Sequence, residues 1–192
     1  MFSFKSTMFI KVFKYLIITL IIVLVSTSCT KEVDFNQVNN IQLTPVIESS
    51  LVFINEPANR FLVNGTEISG LQDSANIDVF NDEFVIDYLE KAEFLFQTTN
   101  SINRGFQVQV DMLDDFNQIR HTFSFSSVAS PDNSDVVNEH IEVFEGNFLT
   151  ALKNTTKLVF TLNILSGEPI NQSTPGRIIL KSKGTFYLNI QP

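Results

Sequence analysis

Leu158-Val-Phe160-Thr-Leu162-Asn-Ile164 puts a large apolar residue at every second position, Leu158, Phe160, Leu162 and Ile164, and this period of two recurs along the chain. Phe106-Gln-Val108-Gln-Val110-Asp-Met112 repeats it, as do His121-Thr-Phe123-Ser-Phe125-Ser, His140-Ile-Glu-Val143 and Phe186-Tyr-Leu188-Asn-Ile190. Successive side chains of a strand point to opposite faces, so each run predicts a strand with one dry and one wet face. Glu93-Phe-Leu-Phe96-Gln reads as a further strand, and Ile178-Ile-Leu180 leads into the last one, with a bulge expected at Gly184. Leu51–Ile54 and Phe61–Val63 are shorter candidates, and residues 39–54 read either as a first strand or as tether.

Turn formers separate these runs: Asn55–Asn59, Asn64-Gly65, Asn103–Gly105, Ser130–Ser134 and Ser166–Pro169. Asp114–Asn117, between two alternating runs, predicts a hairpin. Two short helical turns are expected. Asn81 or Asp82 would cap a stretch carrying Phe84, Val85, Tyr88 and Leu89, and Asn147 would cap Phe148–Lys153. The sum predicts an all-β fold, an immunoglobulin-like antiparallel β-sandwich of about seven to nine strands with one or two short helical turns. The 19 Phe, against 3 Tyr and no Trp, suit its core, because Phe carries no polar group that needs a partner.

The N-terminus has a different character. Residues 1–28 hold Lys5, Lys11 and Lys14 and no acid, followed by the apolar run Leu16–Val25. A positive start, a short apolar core and small residues (Ser26, Thr27, Ser28) describe a secretory signal. The run falls short of the roughly 20 apolar residues of a spanning helix, and an uncleaved anchor is the competing reading. Cys29 follows at once and is the chain's one cysteine, so it has no internal disulfide partner. This stretch resembles the lipobox of bacterial lipoproteins, in the looser form seen in Bacteroidota, with Ser26 where leucine is usual. The resemblance implies cleavage before Cys29 and acyl chains such as palmitate on it, two or more of which hold a protein stably to a bilayer. Thr30–Asp34 resembles the acidic signals that send such lipoproteins to the cell surface. The division is then 1–28 signal peptide, 29–40 lipidated tether and 41–192 sandwich domain.

Losing residues 1–28 removes three positive charges, taking the formal charge from −8 to about −11. So acidic a body argues against nucleic acid, whose phosphates need Lys and Arg, and against lying flat on anionic lipid. The lipid is expected to do the attaching, while the polar tether holds the domain off the surface.

Candidate chemistry is sparse. His121 and His140 each open or flank an alternating strand and are expected on its wet face. No Gly-x-Ser-x-Gly elbow, phosphate loop, dinucleotide fingerprint or zincin motif occurs, and two histidines with one cysteine do not make a His/Cys zinc site. Asp132 with Asp135, and Asp114 with Asp115, put carboxylates on turns and are weak calcium candidates. Neither fits the twelve-residue EF-hand loop, and Asp also favours turns for its own backbone bonds. The acids on strands, such as Glu142 and Asp111, read as a solvated sheet face rather than as a glycosidase pair. Phe94, Phe96, Phe106, Phe123, Phe125, Phe144, Phe160 and Phe186 read as packed core, or alternatively as the lining of an apolar cavity above about 300 Å³.

Lys91–Phe106, the alternating hairpin behind it and Leu152–Lys157 before a strand are together similar to a group of flavobacterial lipoproteins, a resemblance that implies no activity. Over about 70 residues, the succession of a strand, an Asn-Ser turn and an alternating strand is also similar in fold to the immunoglobulin-like sandwiches of the LEA-2 class. The expectation is a lipid-anchored outer-membrane lipoprotein, monomeric and possessing no cofactor, with a non-catalytic structural or partner-binding role in the envelope. The alternatives are a carrier of an apolar, lipid-like ligand and, third, a glycan-acting hydrolase.

Overall fold

The computed structural model describes residues 14–19, 42–77 and 79–191. Residues 14–19 are helical, and among the described residues no helix is long and apolar enough to cross a membrane. Cys29, most of the leader and the tether lie outside the described residues. Met1–Asn40 and Ile41–Pro192 are separate units, and the second holds every described strand.

The chain order is β1 (Val46–Pro57), β2 (Leu62–Val63), β3 (Thr66–Glu67), β4 (Gly70–Asn76), α1 (Glu83–Tyr88), β5 (Leu89–Asn100), β6 (Phe106–Leu113), β7 (Ile119–Ser127), β8 (Val136–Phe144), α2 (Gly146–Lys153), β9 (Lys157–Ile164) and β10 (Arg177–Leu188). Two antiparallel sheets, β1-β10-β5-β8 and β4-β9-β6-β7, form the sandwich, and β2-β3 is a separate ribbon. The ribbon turns on Asn64 and Gly65, both at positive φ, the conformation that a two-residue hairpin requires.

The all-β sandwich is as expected, with eight strands in its two sheets and two short α-helices. Its strand order, however, is that of a jelly roll rather than an immunoglobulin domain. The hairpin β6·β7 is the centre from which β5·β8, then β4·β9, then β1·β10 pair outward, alternately on the two sheets. One sheet therefore carries the first, eighth, third and sixth sandwich strands, where the immunoglobulin order groups the first, second, fifth and fourth. Alternation fixes the face a residue takes but not the neighbour its strand chooses.

Phe94 and Phe96 of β5, Phe106 of β6, Phe144 of β8, Phe160 of β9 and Phe186 of β10 are all buried between the sheets. Their rings meet at 4.8 Å (Phe94–Phe144), 5.9 Å (Phe94–Phe186) and 6.3 Å (Phe96–Phe160). Burying each contributes roughly 2–3 kcal/mol. The rings thus fill the core that a ligand cavity would need.

Two local expectations are corrected. β10 is one strand of 12 residues with no bulge at Gly184. A Cβ there would lie 2.9 Å from the Phe186 ring, so the glycine makes room for an aromatic. The sheet's irregularities lie elsewhere: the β10·β5 register shifts between Tyr187 and Leu188, and β1 bulges between Ser50 and Phe53, where the Val52 N–H turns to the Ser182 hydroxyl at 2.9 Å. Asp82 does cap α1, accepting from Phe84 N–H at 2.9 Å, but Asn147 lies inside α2 rather than before it.

Candidate functional site

β7 and β8 are the edge strands of the two sheets on the same open side of the sandwich. His121 shares its parity on β7 with Phe123 and Phe125 and turns inward with them. On β8 the usual assignment is reversed. Asn138, His140 and Glu142 face inward, while Val137, Ile141 and Val143 face solvent at 54%, 57% and 42% exposure. The expectation that both histidines sit on the wet face is therefore wrong. At an edge, inward positions look into a seam that is only partly closed, so amphipathic rings with polar partners fit there.

The seam is closed by one carboxylate. Glu142 accepts from His121 Nε2 at 2.8 Å and from His140 Nε2 at 3.1 Å, one imidazole on each oxygen. The side chains are 13%, 29% and 19% exposed for His121, His140 and Glu142. Aromatic faces hold the rings: His140 stacks on Phe125 at 4.9 Å and 8°, and His121 packs 5.0 Å from Phe148 of α2. Val128 N–H donates to Asn138 Oδ1 at 2.9 Å further along the seam. The cluster ties one sheet to the other. Among the described residues neither ring is hydrogen-bonded to a hydroxyl or thiol, and no three His, Cys, Asp or Glu side chains are disposed around a common ion position.

A second polar cluster occupies the end of the sandwich formed by the β5–β6 and β9–β10 loops. Arg104 is buried there, donating from Nε to Leu165 O at 2.7 Å, from Nη1 to Glu168 O, and from Nη2 to Glu67 Oε1 at 3.1 Å. Asn100 receives the Ile102 N–H and donates to Arg104 O and Val128 O. Together they pin three loops and the β2-β3 ribbon. Beside them is an open hollow of about 290 Å³ lined by Asn103, Asn133, Glu168, Asn171, Ser173 and Thr174.

The four calcium candidates fall into two separate places. Asp114 and Asp115 are at the β6–β7 turn, and Asp132 and Asp135 are on the β7–β8 loop at the opposite end of β7. Asp114 accepts the N–H groups of Phe116 (2.9 Å) and Gln118 (2.8 Å) and pairs with Arg120. These contacts, the Gln118 amide first, hold its carboxyl below the usual range. Asp132 accepts from the hydroxyl and N–H of Ser134, which likewise lowers its pKa. Both aspartates close their own turns, while Asp115 and Asp135 are exposed.

The sheet of β1, β10, β5 and β8 carries a charged cluster on its outer face, apart from the Lys183–Glu48 pair at 2.8 Å. Lys91 bridges Glu93 (2.9 Å) and Glu145 (3.2 Å), and Tyr187 donates to Glu93 at 3.1 Å. The two carboxylates raise the pKa of Lys91, and Lys91 in turn lowers that of Glu93.

No family model matches the chain, and no curated protein does. Among solved structures it is similar to a protein from Parabacteroides distasonis described as a candidate secreted protein. That likeness has 16% identity over 59% of this chain and 37% of that one, with a TM-score of 0.41. It is also similar to the infectious bursal disease virus Gx strain structure, with 9% identity, 78% and 32% coverage and a TM-score of 0.37. A third is desmodium yellow mottle tymovirus, with 10% identity, 78% and 91% coverage and a TM-score of 0.29. The chain spans about a third of the length of the first two. Likenesses this distant carry no statement about what the chain does.

Proposed function

We propose that the chain is an exported envelope lipoprotein, held to the outer membrane through acyl chains on Cys29, whose sandwich binds an envelope protein and performs no catalysis. The observation that carries the binding role is the reversed β8. An edge strand that turns Val137, Ile141 and Val143 to solvent and Asn138, His140 and Glu142 inward exposes apolar surface where a monomer gains nothing from it. The acyl anchor is supported by the lone cysteine behind a signal-like run. The packed Phe core gives the ligand-carrier alternative no support.

Two measurements on one strain test this reading. Cys29→Ala should move the protein from the membrane pellet to the soluble fraction at high salt, and retention in the pellet refutes the anchor. A photo-crosslinking residue at Ile141 should give a discrete heavier adduct that the same residue at Thr122 does not. Equal patterns at both positions refute the β8 face.

A further inference from the structure

The end of the sandwich where the chain enters differs from the opposite end. Leu43 pairs with Ile190 in an isolated bridge, and Asn189 N–H donates to Tyr88 O of α1 at 2.8 Å. Phe84 of α1 lies against Tyr88, ring centroids 5.0 Å apart. Phe80, just before α1, packs on Phe186 and lines a shallow hollow with Phe116 of the β6–β7 turn. Phe148 of α2 covers His121 near the start of β7. Entry point, α1, α2 and the β6–β7 turn thus share one end.

That end bears exposed aromatics. Phe116 is 81% exposed, Ile119 61%, Leu43 56%, Phe148 54% and Phe84 47%. At the opposite end the exposed large apolar residues among those described are Val63, Val128 and Leu165, none of them aromatic. The one other exposed Phe among the described residues is Phe53, midway along β1.

We infer that this end docks on the bilayer, with Phe116, Ile119, Phe148 and Phe84 entering a zwitterionic phospholipid surface. The inference rests on the proposed Cys29 anchor. About a dozen residues separate Cys29 from the first described residue of the fold. Even fully extended, a chain of that length reaches only about 40 Å, which keeps this end at high local concentration beside the membrane. Exposed rings at the tip of a tethered domain can enter the outer 5–10 Å or so of the boundary between headgroups and acyl chains. The charge selects the lipid: Asp82, Glu83, Asp87 and Asp115 stand around the rings against Arg120 and Lys153, so an anionic surface is repelled and a neutral one accepted. The tether then does not hold the domain clear of the membrane, as the acidic charge alone suggests, but lets it stand on its end.

Because the chain has no Trp, one substitution gives a unique fluorescent reporter. Full-length lipid-bearing protein with Phe116→Trp is reconstituted into phosphatidylcholine vesicles with or without brominated acyl chains, and Val128→Trp reports on the far end. Both positions are exposed and accept the larger ring. Brominated lipid should quench the Phe116→Trp emission at least about two-fold and leave that of Val128→Trp unchanged, at low and at high salt alike, since an apolar contact is not screened. Equal quenching of the two variants, or none in either, overturns the docking. A blue shift with native outer membranes but not with protein-free vesicles reassigns this end to a protein and likewise overturns it. Flotation and the acylated mass read the anchor separately: floating, acylated and unquenched protein refutes docking alone, whereas a free Cys29 thiol refutes the anchor. In that last case quenching by added vesicles still decides the docking.

Discussion

Replacing Glu142 with Ala should loosen the seam between the two sheets by an amount that can be derived from its geometry. The substitution removes two charge-assisted hydrogen bonds, at 2.8 and 3.1 Å, and leaves two inward imidazole donors without an acceptor. Such bonds contribute about 1.5–3 kcal/mol each when fully buried. Here the three side chains keep 13–29% exposure, so water takes up part of the loss and about 1 kcal/mol per bond is the appropriate figure. The total is about 2 kcal/mol, or a fall in Tm of roughly 4–8 °C for a domain of this size. Urea titration followed by far-UV circular dichroism measures it. Glu142→Gln keeps the shape with one acceptor oxygen and should lose about half as much. A double-mutant cycle of Glu142→Ala with His121→Ala, and another with His140→Ala, should each return a coupling near 1 kcal/mol. A loss for Glu142→Ala within about 0.5 kcal/mol, the range of ordinary surface changes, or zero coupling in both cycles, would show that the carboxylate does not join the sheets.

Asp114→Asn should give a pH-dependent effect. The Gln118 amide, the Arg120 guanidinium and the Phe116 amide lower the carboxyl's folded pKa, so its stabilisation is complete above the unfolded-state value of about 3.9 and is lost as pH falls through the folded value. The Tm gap between wild type and variant should be full at neutral pH and close in acid; a gap that stays constant down to strong acid refutes this account. Gly176→Ala should cost well over 1 kcal/mol, because φ is +95° and the new Cβ would stand 2.3 Å from Ser101 O. Gly65→Ala, at φ +79° with nothing within 4 Å, should cost only about 1–2 kcal/mol, and equal losses would show that the contact with Ser101 does not matter.

The strands whose core residues could be read from the sequence are those with a neighbour on both sides. β5, β6 and β9 carry apolar residues on alternate positions over much of their length because each has a neighbour on both sides and a sheet opposite, and their buried Phe residues were all expected in the core. β4, Gly-Leu-Gln-Asp-Ser-Ala-Asn, has no alternation to detect, since its edge position lets water reach most of it. β8 does alternate, but its parity misleads: the apolar set faces out, and only the partner across the seam, on β7, reveals why. Nothing local to His121, His140 or Glu142 marks them as a cluster. They meet through a connection between sheets, and sequence alternation does not specify such connections. Asp114 and Asp132, by contrast, perform the turn-closing role that their positions suggest.

The last long strand, β10, lies at the centre of its sheet, with Val46 at the start of β1 facing Tyr187 across it. Ends so far apart in sequence meet only after the loop between them has closed, which makes such pairings slow. β1 therefore has no partner strand until the chain is complete to about residue 188, whereas β5·β8 and the whole opposite sheet can pair before then. For a chain exported as proposed above, the strand nearest the anchored end is the last to find its partner.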